Sequence, residues 1–308
     1  MRKWMGLMVI LGLLSVGGCA FSDPRISGTP PTPPVEPEFI ENVATSTQEL
    51  QTTWATVAGL AKLDPDQPKW ATMAETLEAL WIVVVGPDPV NRIPAFNADI
   101  GEPATFATVE EATKDAEEAL TSSRDVHREM GKTSSGMDAL LWGSIAASCA
   151  QMLQGLTGSY QNPVVANQQI TVTITDEESA LKDLIISYDE AIFALRTSQG
   201  FSSWDIAGKL APMATSLDRQ MSRLMLIADE RDIQVEAVAI YDLPAGRDDQ
   251  AAMVLLRASQ ASVVDSAAVW LASADSGEDA TNFLISASTV GLSLGVGTAQ
   301  WPGFPDTT

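Results

Sequence analysis

The stretch LIISYDEAIFALR, residues 184–196, sets two adjacent carboxylates, Asp189 and Glu190, inside an apolar helical run. Carboxylates turned into a helical bundle can hold a pair of metal ions. The usual di-iron arrangement takes a Glu from each of two helices and a Glu-x-x-His from each of the other two. This chain has a single histidine, His127, and Arg124 stands three positions before it, so no Glu-x-x-His exists. A carboxylate-only site drawn from Asp189 or Glu190 with Asp218 and Asp265 would favour magnesium, calcium or manganese over iron. Neighbouring helical residues point about 100° apart, so Asp189 and Glu190 cannot both face a bundle axis. One is expected to meet solvent and the other an arginine of the following helix. The expectation is no metal site and no cofactor.

The same scarcity limits other chemistry. One imidazole excludes a bis-histidine haem site and a multi-histidine zinc cluster, and leaves nothing beyond itself for a triad. His127 falls near a predicted helix C-terminus and reads as a surface residue facing the dipole. Asp218 and Asp265 are expected in structural ion pairs with Arg219, Arg223 or Arg257. GLSLGVG, residues 291–297, follows no strand, so close helix packing fits it better than a phosphate loop. Cys149 in IAASCAQML reads as a small buried residue rather than a reactive thiol. No residue is assigned as catalytic.

Residues 1–18 have a charged start, Arg2 and Lys3, then an apolar run from Trp4 to Val16, then Gly17 and Gly18 before Cys19. That order is expected of a secretory signal. As a helix the apolar run would cover about 20 Å, against about 30 Å for a bilayer core, so it is too short for a permanent span. VGGC also resembles the lipobox of bacterial lipoproteins, in which the cysteine is diacylated and becomes the first residue. Two acyl chains on Cys19 would anchor the chain stably, each buried methylene contributing about 0.8 kcal/mol.

Residues 19–37 are dense in Pro, Ser and Gly and read as an extended tether, reaching up to roughly 50 Å. The chain carries 18 Lys and Arg against 40 Asp and Glu, a net charge of −22; losing Arg2 and Lys3 with the signal leaves −24. So acidic a body is repelled by nucleic acid and by anionic lipid headgroups, which argues against either as a direct partner.

From Glu38 the apolar spacing is helical almost throughout. Val43, Thr47, Leu50, Trp54, Val57 and Ala61 form one seam, and Trp70, Met73, Leu77, Leu80 and Val84 another. Pro68 and Gly86 bracket the second helix. Thr108 with Glu111, and Thr175 with Glu178, match capping boxes. The tryptophans beyond Trp4 fall mostly on seams, except Trp301 in the tail, which would cap a bundle end or mark a contact surface. ITVTIT, residues 170–175, alternates like a strand without a partner and reads as part of a linker. Pro212 is expected to break or kink a helix. The predicted organisation is all-α, with two helical bundles in tandem: 38–158, a linker at 159–175, and 176–308, each expected to fold by itself.

From Ala180 to Pro305 the chain resembles a ferritin-like domain of secreted lipoproteins of Gram-positive bacteria. The likeness rests on LKDLIISYDEAIFAL, LDRQMSRLMLIADERD, VVDSAAVWLASA and AQWPGFP. Many members carry Glu-His where this chain has Asp189-Glu190. The resemblance implies a ferritin-like four-helix bundle at 176–308, and it supplies no activity. The leading expectation is therefore a lipid-anchored cell-envelope protein facing outside the cytoplasm, not an enzyme, serving structure or contact with an envelope protein partner. The alternatives are a lipoprotein that binds a small ligand between its helices and a metal-dependent ferritin-like oxidase.

Overall fold

Local signals set several helix ends. Pro68 opens a helix that Gly86 closes, its N–H bonding the Ile82 carbonyl. The Thr108 hydroxyl accepts from the Glu111 N–H while the Glu111 carboxylate accepts from the Ala107 N–H, a reciprocal cap. The computed structural model describes residues 37–86, 98–157, 174–201, 203–235, 241 and 246–294, and among these the chain is all-helical without a strand. The helices are α1 (Pro37–Leu63), α2 (Pro68–Val85), α3 (Val109–Thr133), α4 (Gly136–Thr157), α5 (Glu177–Phe201), α6 (Trp204–Glu230), α7 (Asp249–Ser273) and α8 (Gly277–Ser293). The all-α expectation is met.

Three details differ from the sequence reading. The cap of α5 is Asp176, whose Oδ1 accepts from the Ser179 N–H at 2.8 Å. Thr175 is one residue too early, and the Asp carboxylate is the stronger acceptor for a helix N-terminus. Pro212 ends nothing: α6 runs through it. Pro37, read as the last tether residue, already belongs to α1; the signal, the rest of the tether, the strand-like run up to Thr173 and the tail with Trp301 lie outside the described residues.

The apolar side chains gather into two cores. The first is lined by α1 to α4, with Leu50, Val57, Met73, Leu77, Leu120, Trp142 and Ile145 deep inside. The second is lined by α5 to α8, around Leu184, Tyr188, Leu224, Trp270 and Phe283. In the second, α5 packs along both α6 and α7, and α7 along α8. Arg223 to Asp279 and Gln220 to Ser286 link α6 to α8.

Helix α4 belongs to both cores. Every residue from Ala139 to Met152 is buried, and no charged residue follows Asp138 in the helix. A helix apolar all round is a central helix. Leu141, Trp142, Ile145, Cys149 and Met152 face the first core. Ala139, Leu140 and Ala147 face the second. Among the described residues no helix is long and apolar enough to cross a membrane.

Polar bonds fasten the seam between the halves. Arg128 Nε donates to Asn282 Oδ1 at 2.9 Å, and Gln151 Nε2 to the Ser288 carbonyl at 2.6 Å. Near its end the backbones almost touch. A Cβ on Gly277 would lie 1.9 Å from the carbonyl oxygen of Gly131, so only glycine fits that crossing.

Candidate functional site

The single histidine is not on the surface. His127 and Ser46 are both 0% exposed, which overturns the reading of a dipole-facing surface residue. The correction has a simple cause. On α3, Ala112, Ala116, Leu120, Ser123, His127 and Met130 fall on the buried stripe, and His127 continues it. Helical phase outweighs proximity to the C-terminus.

The imidazole is bonded at both nitrogens. Nδ1 lies 2.6 Å from the Ser123 carbonyl, which can only accept, so Nδ1 carries the proton. Nε2 is then the acceptor, and the Ser46 hydroxyl donates to it at 2.7 Å. Ser123 Oγ is 3.3 Å from Nδ1 and accepts from the Cys149 thiol at 3.5 Å. The Trp142 indole lies beside the ring, with centroids 6.2 Å apart. Burial lowers the imidazole's pKa to about 4, and the bond to the Ser123 carbonyl only partly opposes it. Burial likewise pushes the Cys149 thiol up to about 11, so it stays protonated and inert, as its apolar setting suggests.

A serine hydroxyl on an imidazole that a carbonyl orients has the form of a nucleophile and its base. Access is what this pair lacks: neither partner is open to solvent. The bonds instead tie α1, through Ser46, to α3. The seam read from the sequence passes through Thr47 and Trp54, one residue beyond the buried Ser46 and Thr53. The buried positions on α1 include Val43, Ser46, Leu50, Thr53, Val57 and Leu60, while Thr47, Trp54 and Ala61 are half-buried. The usable signal was the heptad spacing from Val43 through Leu50 to Val57, which puts positions 46 and 53 inside whatever their polarity.

The carboxylates of the second half take separate partners. Asp189 accepts from the Tyr241 hydroxyl at 2.7 Å, so its partner is a tyrosine after α6 and not an arginine within it. Tyr241 also stacks on Phe193, with centroids 5.2 Å apart. Burial first, then the bond to Asp189 and the charges of Asp189 and Glu190, hold the phenol's proton on. Asp218 pairs with Arg196 at 3.0 Å on the surface. Arg223 takes Asp279 at 2.6 Å, and Arg257 Nε donates to the Leu294 carbonyl at 2.8 Å. Neither reaches the expected carboxylates, because Asp218 faces α5 and Asp265 is half-buried along α7. Burial raises the Asp265 carboxyl to about 6. Among the described residues no group of three or more His, Cys, Asp or Glu side chains is placed to hold a metal ion. Cys19 lies outside the described residues.

These features define an all-helical protein whose one imidazole is enclosed within a core. In comparisons with known families, characterised proteins and solved structures, nothing matches this chain.

Proposed function

We propose that this chain is a cell-envelope lipoprotein, held at the outer face of the membrane by acyl chains on Cys19. Its helical body serves structure or protein contact and not catalysis. In this reading the chain divides into two bundles, 38–158 and 176–308, and the second is of the ferritin-like type without a di-iron centre. The observation that carries the non-enzymatic part is the sealing of His127 between Ser46 and Ser123. The chain's one imidazole is thus engaged in joining two helices. The sequence VGGC and the Pro-rich run behind it support the anchor, and the net charge of −22 keeps the body off anionic headgroups.

Metabolic labelling with an alkyne fatty acid tests the anchor. The wild type should be labelled and Cys19→Ala should not. Equal labelling of both removes the lipoprotein reading. Crosslinking of the labelled protein in intact membranes then identifies the envelope protein it touches.

A further inference from the structure

The two cores differ in one chemical respect. Among the described residues, His127 is the only titratable base buried in either. Its hydrogen bonds join α1 to α3, and both acceptors and donors around it are uncharged. We propose that His127 is an acid-sensitive latch: protonation of its imidazole frees α1 from α3 and loosens the first core, while the second core stays closed.

The geometry leaves no easy place for the added proton. Nδ1 already donates to the Ser123 carbonyl. A proton arriving at Nε2 meets the Ser46 oxygen, whose own hydrogen now points at the ring. The hydroxyl must turn its own hydrogen away from the ring before it can accept from Nε2. The new positive charge also gains no counterion. Charged and titratable groups on the surrounding helices include Glu41 and Glu49 of α1, Arg124, Asp125, Arg128 and Glu129 of α3, Asp138 and Cys149 of α4, and Asp279 of α8. Glu49 accepts from Ser122, Arg124 pairs with Asp125, Arg128 bonds Asn282, and Asp279 pairs with Arg223. Those four are thus engaged elsewhere, and burial dominates the imidazole's pKa.

The second core offers nothing comparable. Its buried polar side chains are Ser187, Ser198, Ser259, Gln260, Thr281 and Ser288, all uncharged at any relevant pH. Helix α4 keeps Ala139, Leu140 and Ala147 in that core, so it has a reason to remain when α1 leaves.

The sign follows from linkage. A histidine with a folded pKa near 4 and an unfolded value of 6.5 stabilises the fold fully above 6.5. That contribution is lost as pH falls from 6.5 to 4. At pH 5 the opening equilibrium of the first core should be larger than at pH 7.5 by on the order of 30-fold.

The test uses the full chain in mild detergent, with amide hydrogen exchange read helix by helix and corrected for the intrinsic pH effect. Protection of α1 should fall by that factor between pH 7.5 and 5, while protection of α5 and α7 does not fall. His127→Gln keeps an uncharged donor and acceptor, and should flatten the pH dependence. Should that variant fail to fold, the wild type still decides. Its one histidine gives a single Hε1 resonance, which should titrate far below 6.5 and in step with loss of α1 protection. A folded-state titration near 6.5, or equal loss of protection in α1, α5 and α7, overturns the latch.

Discussion

The first core places a base at its centre, while the second places acids at its rim. His127 sits among Ser46, Ser123 and Trp142 with no water in reach. Asp189 and Asp265 are half-buried on α5 and α7, and Asp189 reaches out to Tyr241. Burial disfavours the charged form of each group, so it lowers the histidine and raises the aspartate. The same physical effect thus makes the two halves answer acid with opposite signs. Between pH 6.5 and 4 the first core loses stability as His127 gains a proton. Between about 6 and 3.8 the second gains stability as Asp265 is neutralised.

A second contrast concerns independence. The helix α4 is contributed by the first half, yet it furnishes Ala139, Leu140 and Ala147 to the second core. A fragment beginning at residue 176 loses those side chains and exposes the face they covered. A fragment beginning at residue 136 keeps them. The longer fragment should be the more stable by about 4 kcal/mol, roughly one buried leucine and two alanines. Urea unfolding followed by circular dichroism measures the difference. Equal midpoints would mean that α4 adds nothing and that the second half stands alone, as the pattern of four helices on each side of a linker suggested.

That shared role was written in the sequence, though not in the feature usually read. From Ala139 to Thr157 the chain has no Asp, Glu, Lys or Arg. A helix at the edge of a bundle would need a polar face, so a charge-free helix implies neighbours on all sides. The helix bounds at Pro68, Gly86 and Thr108 were legible because capping is a local matter of a few atoms. The close crossing of Gly131 and Gly277 was not. It joins positions far apart in the chain, and a glycine at a helix end reads equally well as a terminator. His127 and Ser46 fell between these cases. Their helices were legible, but their burial follows from phase and their pairing from tertiary packing.

The acidic rim gives the next test of the contrast. Asp265 has a folded pKa raised above the ordinary value, so its ionised form at neutral pH opposes folding. Its stabilising effect is complete only below the unfolded pKa, and is lost as pH rises through about 6. Asp265→Asn should therefore stabilise the protein at pH 7.5, by about 1 kcal/mol once solvent screening of a half-exposed group is allowed for. The gain should shrink towards pH 4. A variant less stable than the wild type at pH 7.5 would show that the carboxylate has a favourable partner, and the two cores would then no longer differ in sign.

The smallest effect is expected at the pair of carboxylates that first suggested a metal. Asp189 is bonded to the Tyr241 hydroxyl, and an asparagine oxygen can accept that bond in its place. What is lost is the charge assistance, and the site is only half-buried. Asp189→Asn should cost less than about 1 kcal/mol. Repulsion between Asp189 and Glu190 should fall at the same time and offset part of that cost. A structural Asp189 and a metal-binding Asp189 diverge most clearly in metal content. Asp218 is held by Arg196, and among the described residues no third His, Cys, Asp or Glu gathers with Asp189 to hold a metal. Anaerobic incubation with ferrous iron, followed by desalting and elemental analysis, should leave wild type and Asp189→Asn equally poor in iron. About two irons retained per chain, the stoichiometry of a di-iron bundle, and their loss in Asp189→Asn would reverse the conclusion. The second core would then be the reactive half of the molecule, and Tyr241 a residue beside its metal.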